Sequence, residues 1–287
     1  MEKEDNLLIS SLAEYLTCIA EKRGTQFHSR TTNYKPIYRG QAKQSWCIEP
    51  AVYRCGRFER EGNYIRELER LQPEAFASMS RIEKLIKMQH YGLPTRLLDF
   101  TCNALVALYF ACCSEQDADG VVYELHAFPL YHQDFVWVSI VMKYIFEFSR
   151  LPFAPASMID ELKREFSQYP PRGVESFYEE QSIRKILCSP LGLYPHFSNG
   201  RIKSQEGVFI IAGMEIREEN RDGLLFVKQS YQNIAELWPA SRSILIPAGQ
   251  KQRLLRELEE IGFHKGRLFP ELEAQAGYVT EYIDRLA

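Results

Sequence analysis

The stretch from Met88 to Ala111, MQHYGLPTRLLDFTCNALVALYFA, changes character three times within its length. It finishes one helix, turns through a Gly-Pro loop, opens a short strand at Leu97-Leu98, and enters a second helix running from Asn103 to Cys113. Gly92 can take the positive φ that closes a helix, and Pro94 prevents its continuation. The second helix is apolar nearly all round, which predicts burial, and Thr101 and Asp99 are its best N-cap candidates. The polar side chains His90, Tyr91, Thr95, Arg96, Asp99 and Thr101 are thereby held at the edge of a core. Each alone has an ordinary use as a cap or ion-pair partner. Grouped on a loop pinned between buried elements, they mark a candidate site.

Toward the N-terminus, Ser11 and Glu14 form a capping-box pattern ahead of Leu12, Tyr15, Leu16 and Ile19 at helical spacing. A polar loop, Glu21 to Lys35, leads to a strand over Pro36 to Gln41, with Arg39 near its end and Gly40 baring the backbone. A guanidinium so placed suits two-point binding of a phosphate. Trp46 to Arg54 reads as an ordered loop with a helical turn. A helix after Asn63 carries Ile65, Leu68 and Leu71 and breaks at Pro73, and the next places Ile82, Leu85 and Ile86 inward.

Toward the C-terminus, Asp119-Gly120 turns into a strand at Val121 to Leu125. Residues 129–180 alternate helical pieces with prolines, which predicts a helical insertion or lid. Strands are then expected at Ile186 to Cys188, from Arg201 to Glu206 leading into Gly207 to Ile211, at Leu224 to Val227 after an Arg221-Asp222-Gly223 turn, and at Ser243 to Ile246. Helices from Gln250 to Ile261 and Leu272 to Leu286 close the chain. With no internal repeat, this predicts one α+β domain over 1–287, a mixed, mainly antiparallel sheet with flanking helices.

Composition bounds the function. The 287 residues, 45% hydrophobic and 13% aromatic, can fill a sizeable core. A net charge of −3 gives no overall basic field, so bulk electrostatics implies no nucleic-acid partner. Seven scattered cysteines fit reduced thiols, and the acidic N-terminus lacks a signal-peptide profile, so a cytoplasmic protein is expected. No apolar run reaches the length of a membrane span, and the dispersed histidines suggest no metal site.

Taken together, Tyr38-Arg39-Gly40-Gln41, Trp46 with Pro50 and Arg54, the His90 to Ala111 block, and Arg201 with Gln205-Glu206-Gly207-Val208-Phe209 resemble the FRG domain family, named after its (Phe/Tyr)-Arg-Gly motif. A looser similarity links the chain to ADP-ribosyltransferases of the Arg-Ser-Glu type. Those carry an arginine on an early strand, a hydroxyl-rich strand running into a helix, and a glutamate near a late strand. The same order here is Arg39-Gly40, then Asp99-Phe100-Thr101 before Ala107, Phe110 and Ala111, then Gln205-Glu206.

The second resemblance implies an ADP-ribosyltransferase-like fold with NAD as substrate and no metal, in a toxin or defence effector. Arg39, Gly40, Gln41, His90, Tyr91, Thr95, Arg96 and Arg201 would bind the nucleotide. Asp99 and Thr101 would brace the nicotinamide pocket, and Glu206 or Gln205 would act at the ribose, where a carboxylate stabilises an oxocarbenium-like transition state. Asp99-Phe100-Thr101 keeps one hydroxyl of the family's three. Strand alternation allows only one of Gln205 and Glu206 to enter a pocket. Glu206 inside favours a transferase. Gln205 inside favours a module that binds a nucleotide or a nucleic-acid end without catalysis.

Overall fold

The computed structural model describes residues 9–21, 36–126, 128–149, 154–166, 179–219, 225–228 and 241–285. In chain order the elements are α1 (Leu12–Glu21), β1 (Ile37–Gln41), α2 (Glu61–Leu71), α3 (Pro73–Phe76), α4 (Arg81–His90), β2 (Leu97–Thr101), α5 (Ala104–Cys112), β3 (Gly120–Leu125), β4 (Leu130–His132), α6 (Val136–Lys143), α7 (Pro155–Glu165), α8 (Glu180–Cys188), β5 (Leu191–Tyr194), α9 (Gly200–Ser204), β6 (Gly207–Ile211), β7 (Glu215–Glu219), β8 (Leu225–Lys228), β9 (Ser241–Ile246), α10 (Lys251–Glu260), α11 (Lys265–Leu268) and α12 (Leu272–Asp284). Seven strands make one sheet in the order β4-β5-β6-β2-β1-β3-β9, antiparallel except where β4 meets β5, and β7 pairs with β8 separately. The α+β expectation, with a mainly antiparallel sheet and flanking helices, holds.

The sheet is nearly divided in its middle. β1 pairs with β3 from Ile37↔Leu125 to Gln41↔Val121, and β2 pairs with β6 from Leu97↔Ile211 to Thr101↔Gly207. β1 and β2 meet only at Tyr38↔Thr101. The apolar packing follows this division. One cluster joins Tyr38 on β1, Val122 on β3 and Ile244 on β9 to α1, α5 and α10. Another joins Leu97 on β2 and Phe209 and Ile211 on β6 to α2, α4, α6, α7 and α8. A third, including Ile37, Leu98, Phe100, Val208 and Ile210, packs across both parts.

Helix α5 lies directly on β1 and β3 because both strands offer glycines. A Cβ on Gly40 would stand 1.8 Å from the Ala107 carbonyl oxygen, and one on Gly120 would stand 2.3 Å from that of Ala111. Gly40 therefore serves helix-to-sheet contact. The helix is capped by Asn103, whose Oδ1 accepts the Leu105 N–H at 3.0 Å, and not by Thr101 or Asp99. Those two stay in the strand, which runs on to Thr101.

Other boundaries depart from expectation for local reasons. The N–H of Glu14 donates to Ser11 Oγ, but its carboxylate reaches back to Ser10. Leu16 and Leu71 are exposed. α2 begins at Glu61, ahead of Asn63. Ile186 to Cys188 belongs to α8, not to a strand, since Ile183, Ile186 and Leu187 recur at helical spacing and are buried together. Arg201 to Glu206 is the helix α9 followed by a turn, so the strand-alternation argument for Gln205 and Glu206 does not apply. In the 129–180 region, β4 extends the sheet edge, and α6 and α7 put Val138, Ile140, Met158 and Leu162 into the largest cluster. The Arg221-Asp222-Gly223 turn and the 22–35 loop lie outside the described residues.

Candidate functional site

Where β1 and β2 part, a cavity of about 290 Å³ opens. Its walls come from β1 (Tyr38, Arg39, Gly40), α4 (Ile86, Gln89, His90), β2 (Asp99, Phe100, Thr101), α5 (Val106, Phe110), α9 with its cap and following turn (Asn199, Arg201, Ile202, Gln205), and β6 (Gly207, Val208, Phe209). Residues more than a hundred positions apart meet because β2 is paired with β6, which places the α9 turn beside the start of α5.

Arg39 spans the gap. Its Nη1 donates to the Asp99 backbone carbonyl at 2.6 Å, and its guanidinium carbon lies 6.0 Å from the centre of the Phe100 ring. The Asp99 carboxylate is exposed and accepts a hydrogen bond from Gln89 Nε2 at 2.9 Å; Gln89 Oε1 in turn accepts from the Thr95 hydroxyl. Also on the lining, the Arg201 guanidinium stacks 4.8 Å over Phe269. Among the described residues no carboxylate or carbonyl engages it. His90 Nε2 lies 3.5 Å from Glu271 Oε1.

The sequence candidates separate accordingly. Arg39, Gly40, His90, Asp99, Thr101, Arg201 and Gln205 line the cavity; Gln41, Tyr91, Thr95, Arg96 and Glu206 do not. Gln41 is buried. Tyr91 projects into solvent at the end of α4, 74% exposed. Thr95 is buried, its hydroxyl bonded to Gln89 and to the Leu97 N–H. Arg96 points away from the cavity into the interior, where Nε donates to both carboxylate oxygens of Glu61 at 3.0 Å, Nη2 reinforces the pair, and the rings of Phe58 and Tyr144 flank it. Desolvation pulls its pKa down, but the Glu61 carboxylate outweighs this and holds the guanidinium above its ordinary value.

Thr101 braces the turn after α9. Its hydroxyl donates to the Gln205 carbonyl at 2.7 Å and accepts the Asn103 N–H at 2.9 Å, while the Cys102 N–H reaches the Glu206 carbonyl at 3.0 Å. The Gln205 amide donates to the Leu268 carbonyl at 3.0 Å. Glu206 takes a φ of 46°, and its carboxylate is exposed and bonded to Asn103 Nδ2 at 2.7 Å. The positive φ turns successive side chains differently from a strand, and it is Gln205 that lines the cavity.

A second recess of about 190 Å³ shares Arg39, Gln89 and Asp99 with the first and adds Glu49, Pro50, Arg54 and Leu93. Sequence reasoning missed Gln89, Asn199, Phe269 and Glu271. Gln89 lies one residue before the quoted His90 and shares its helix end, the one signal that could have flagged it. The other three depend on how α9, α11 and α12 pack.

The family model of the FRG domain matches residues 34–120. The chain carries an FRG domain. Comparison with curated proteins and with solved structures gives no match. The matched range supplies Arg39, Gly40, Gln89, His90, Asp99 and Thr101 to the FRG cleft, while Arg201 and Gln205 come from beyond it. Among the described residues no helix is long and apolar enough to cross a membrane, and no group of His, Cys, Asp and Glu is arranged to hold a metal ion.

Proposed function

We propose that the FRG cleft binds a phosphate-bearing nucleotide and acts as a binding module. The observation that carries this reading is that Arg39 and Arg201 both line one small cavity, with Gln205 rather than Glu206 on its lining. Two guanidiniums are suited to oxyanions by their forked donors. Phe100 and Phe110 supply flat apolar surface for a base or ribose. Gln205 can donate to or accept from a ligand, but its neutral amide cannot balance positive charge on a ribose.

A second reading, NAD cleavage with ADP-ribosyl transfer, is favoured by one group. Asp99 keeps an exposed carboxylate in the cleft, held by Gln89, and catalysis would run through it instead of Glu206. The described cysteines are free thiols, which supports a reducing, cytoplasmic setting for either reading.

Calorimetric titration with ADP and with NAD tests the binding reading, and release of free nicotinamide separates the two. Binding without release is expected. Arg39→Lys keeps the charge and loses the fork, so affinity should fall by about 1.5 to 3 kcal/mol, while fold stability should lose no more than the one hydrogen bond to the Asp99 carbonyl, about 0.5–1.5 kcal/mol. Absence of binding to either nucleotide refutes the module, and nicotinamide release abolished by Asp99→Asn establishes NAD cleavage through Asp99.

A further inference from the structure

We infer that the C-terminal segment Leu268 to Glu271 forms a further wall of the cleft, and that Phe269 is the positioning residue for Arg201. The inference rests on the nucleotide-binding reading and names what orients its second cation. Three contacts, from Leu268, Phe269 and Glu271, tie this short segment to three cavity residues. The Leu268 carbonyl accepts from Gln205 Nε2, the Phe269 ring lies 4.8 Å from the Arg201 guanidinium carbon, and the Glu271 carboxylate lies 3.5 Å from His90 Nε2. Phe269 also meets the ring of Phe110, itself a cavity residue, edge-on at 5.9 Å.

An arginine on a helix as short as α9 has many rotamers available, and ordering it costs free energy each time a ligand binds. Stacking on an aromatic face selects one orientation in advance. No carboxylate among the described residues competes for the Arg201 guanidinium, so the ring orients the charge without neutralising it. Phe269 is held in turn by α12: Gln275 Nε2 donates to the Phe269 carbonyl at 2.8 Å and also bonds the Gly266 carbonyl. Ion pairs between Lys265 and Glu281 at 2.5 Å and between Arg285 and Glu259 at 3.0 Å fasten that helix, which has no buried residue of its own. The wall itself is anchored by Leu268, fully buried in the apolar cluster under α5 and α10, with Phe269 packed against that cluster.

The test uses the full chain, ADP as probe, and the variants Phe269→Leu, Phe269→Tyr, Arg201→Ala and the double variant Phe269→Leu/Arg201→Ala. Loss of the ring in Phe269→Leu should weaken ADP binding by about threefold to tenfold, the scale of a partly exposed cation–π contact. Phe269→Tyr keeps the ring face and should bind within about twofold of the unaltered chain. In the Arg201→Ala background, Phe269→Leu should have no further effect. An equal loss in both backgrounds would mean that Phe269 acts through the fold alone, and the inference falls. A ligand-free readout keeps it separable from the nucleotide reading. The Arg201 Nε–H proton resonance should carry a ring-current shift that persists in Phe269→Tyr and disappears in Phe269→Leu. If the chain binds no ADP, the functional reading fails while this resonance still decides the stack; an Arg201 signal unmoved by Phe269→Leu overturns the inference.

Discussion

Gly40→Ala offers the sharpest test of how the arginine-glycine motif works. The added Cβ would stand 1.8 Å from the Ala107 carbonyl oxygen and 2.8 Å from both the Ala107 carbonyl carbon and the Ala111 nitrogen. These are backbone atoms, so no side chain can swing aside. A carbon and a carbonyl oxygen come no closer than about 3.3 Å even in attractive contacts, so α5 must lift by roughly 1.5 Å at this point. That helix buries Val106, Ala107, Leu108, Tyr109, Ala111 and Cys112, and a gap of about 0.5–1 Å already forfeits a quarter to a half of each contact. The cost should reach or exceed the upper part of the overpacking range, about 3 kcal/mol. For a chain of this size that corresponds to a fall in Tm of about 5 °C. Gly249→Ala is the control, because a Cβ there meets nothing within 4 Å. Urea unfolding of both variants gives the comparison. If Gly40→Ala unfolds with the same midpoint as Gly249→Ala, the glycine does not exist to seat the helix.

Glu61→Ala leaves the buried Arg96 charge without its partner and should cost about 3–5 kcal/mol in urea unfolding, whereas Glu61→Leu combined with Arg96→Met should recover most of that loss; an inexpensive single variant would refute the buried pair. Gln205→Ala should weaken nucleotide affinity while Glu206→Gln leaves it unchanged, and calorimetry showing the reverse would place Glu206 in the cleft. Acid unfolding should depend on Glu124. Burial pushes its pKa up, but hydrogen bonding to His126 and the Arg242 charge outweigh that and hold it below 4.5. A carboxylate with a depressed folded pKa contributes stability that is present above its unfolded value and lost as pH falls through the folded one. Glu124→Gln should thus flatten the pH dependence of stability below about pH 4.5, and an unchanged acid limb would remove the group from that role.

Much of the frame was legible because periodicity and punctuation agreed. Ile82, Leu85 and Ile86 marked the buried face of α4, the all-apolar run from Ala104 marked α5, and Gly92 takes the positive φ, 89°, expected of it. Polar residues were harder to place, since sequence gives their chemistry without their direction. Arg96 stands beside Thr95 and ahead of Leu97-Leu98, yet its partner Glu61 is thirty-five residues away, at the start of a helix whose apolar spacing becomes legible only after Asn63. Gln205 and Glu206 looked like strand residues because they precede Val208 to Ile211. A one-turn helix capped by Asn199, followed by a positive φ at Glu206, gave them a geometry that alternation cannot describe. The contribution of Phe269 and Glu271 was invisible for another reason: both belong to a C-terminal segment whose packing against α4 and α9 no local pattern encodes.

The single rung between β1 and β2 makes the sheet two panels stitched at one point, with Arg39 as a second stitch through the Asp99 carbonyl. Arg39 is also the residue that the nucleotide reading assigns to phosphate, so cohesion and ligand capture draw on the same guanidinium. An anion that took Arg39 Nη1 for itself would unpick the stitch, and the ligand would then have to span the seam in its place. On the nucleotide reading, occupancy and panel separation would become one coordinate: a ligand long enough to touch both Arg39 and Arg201 would close the seam more tightly than the empty chain does, and a bare phosphate, reaching only one side, would loosen it. Amide exchange at Gly40 and Phe100, on the two lips of the seam, would report the two cases with opposite sign.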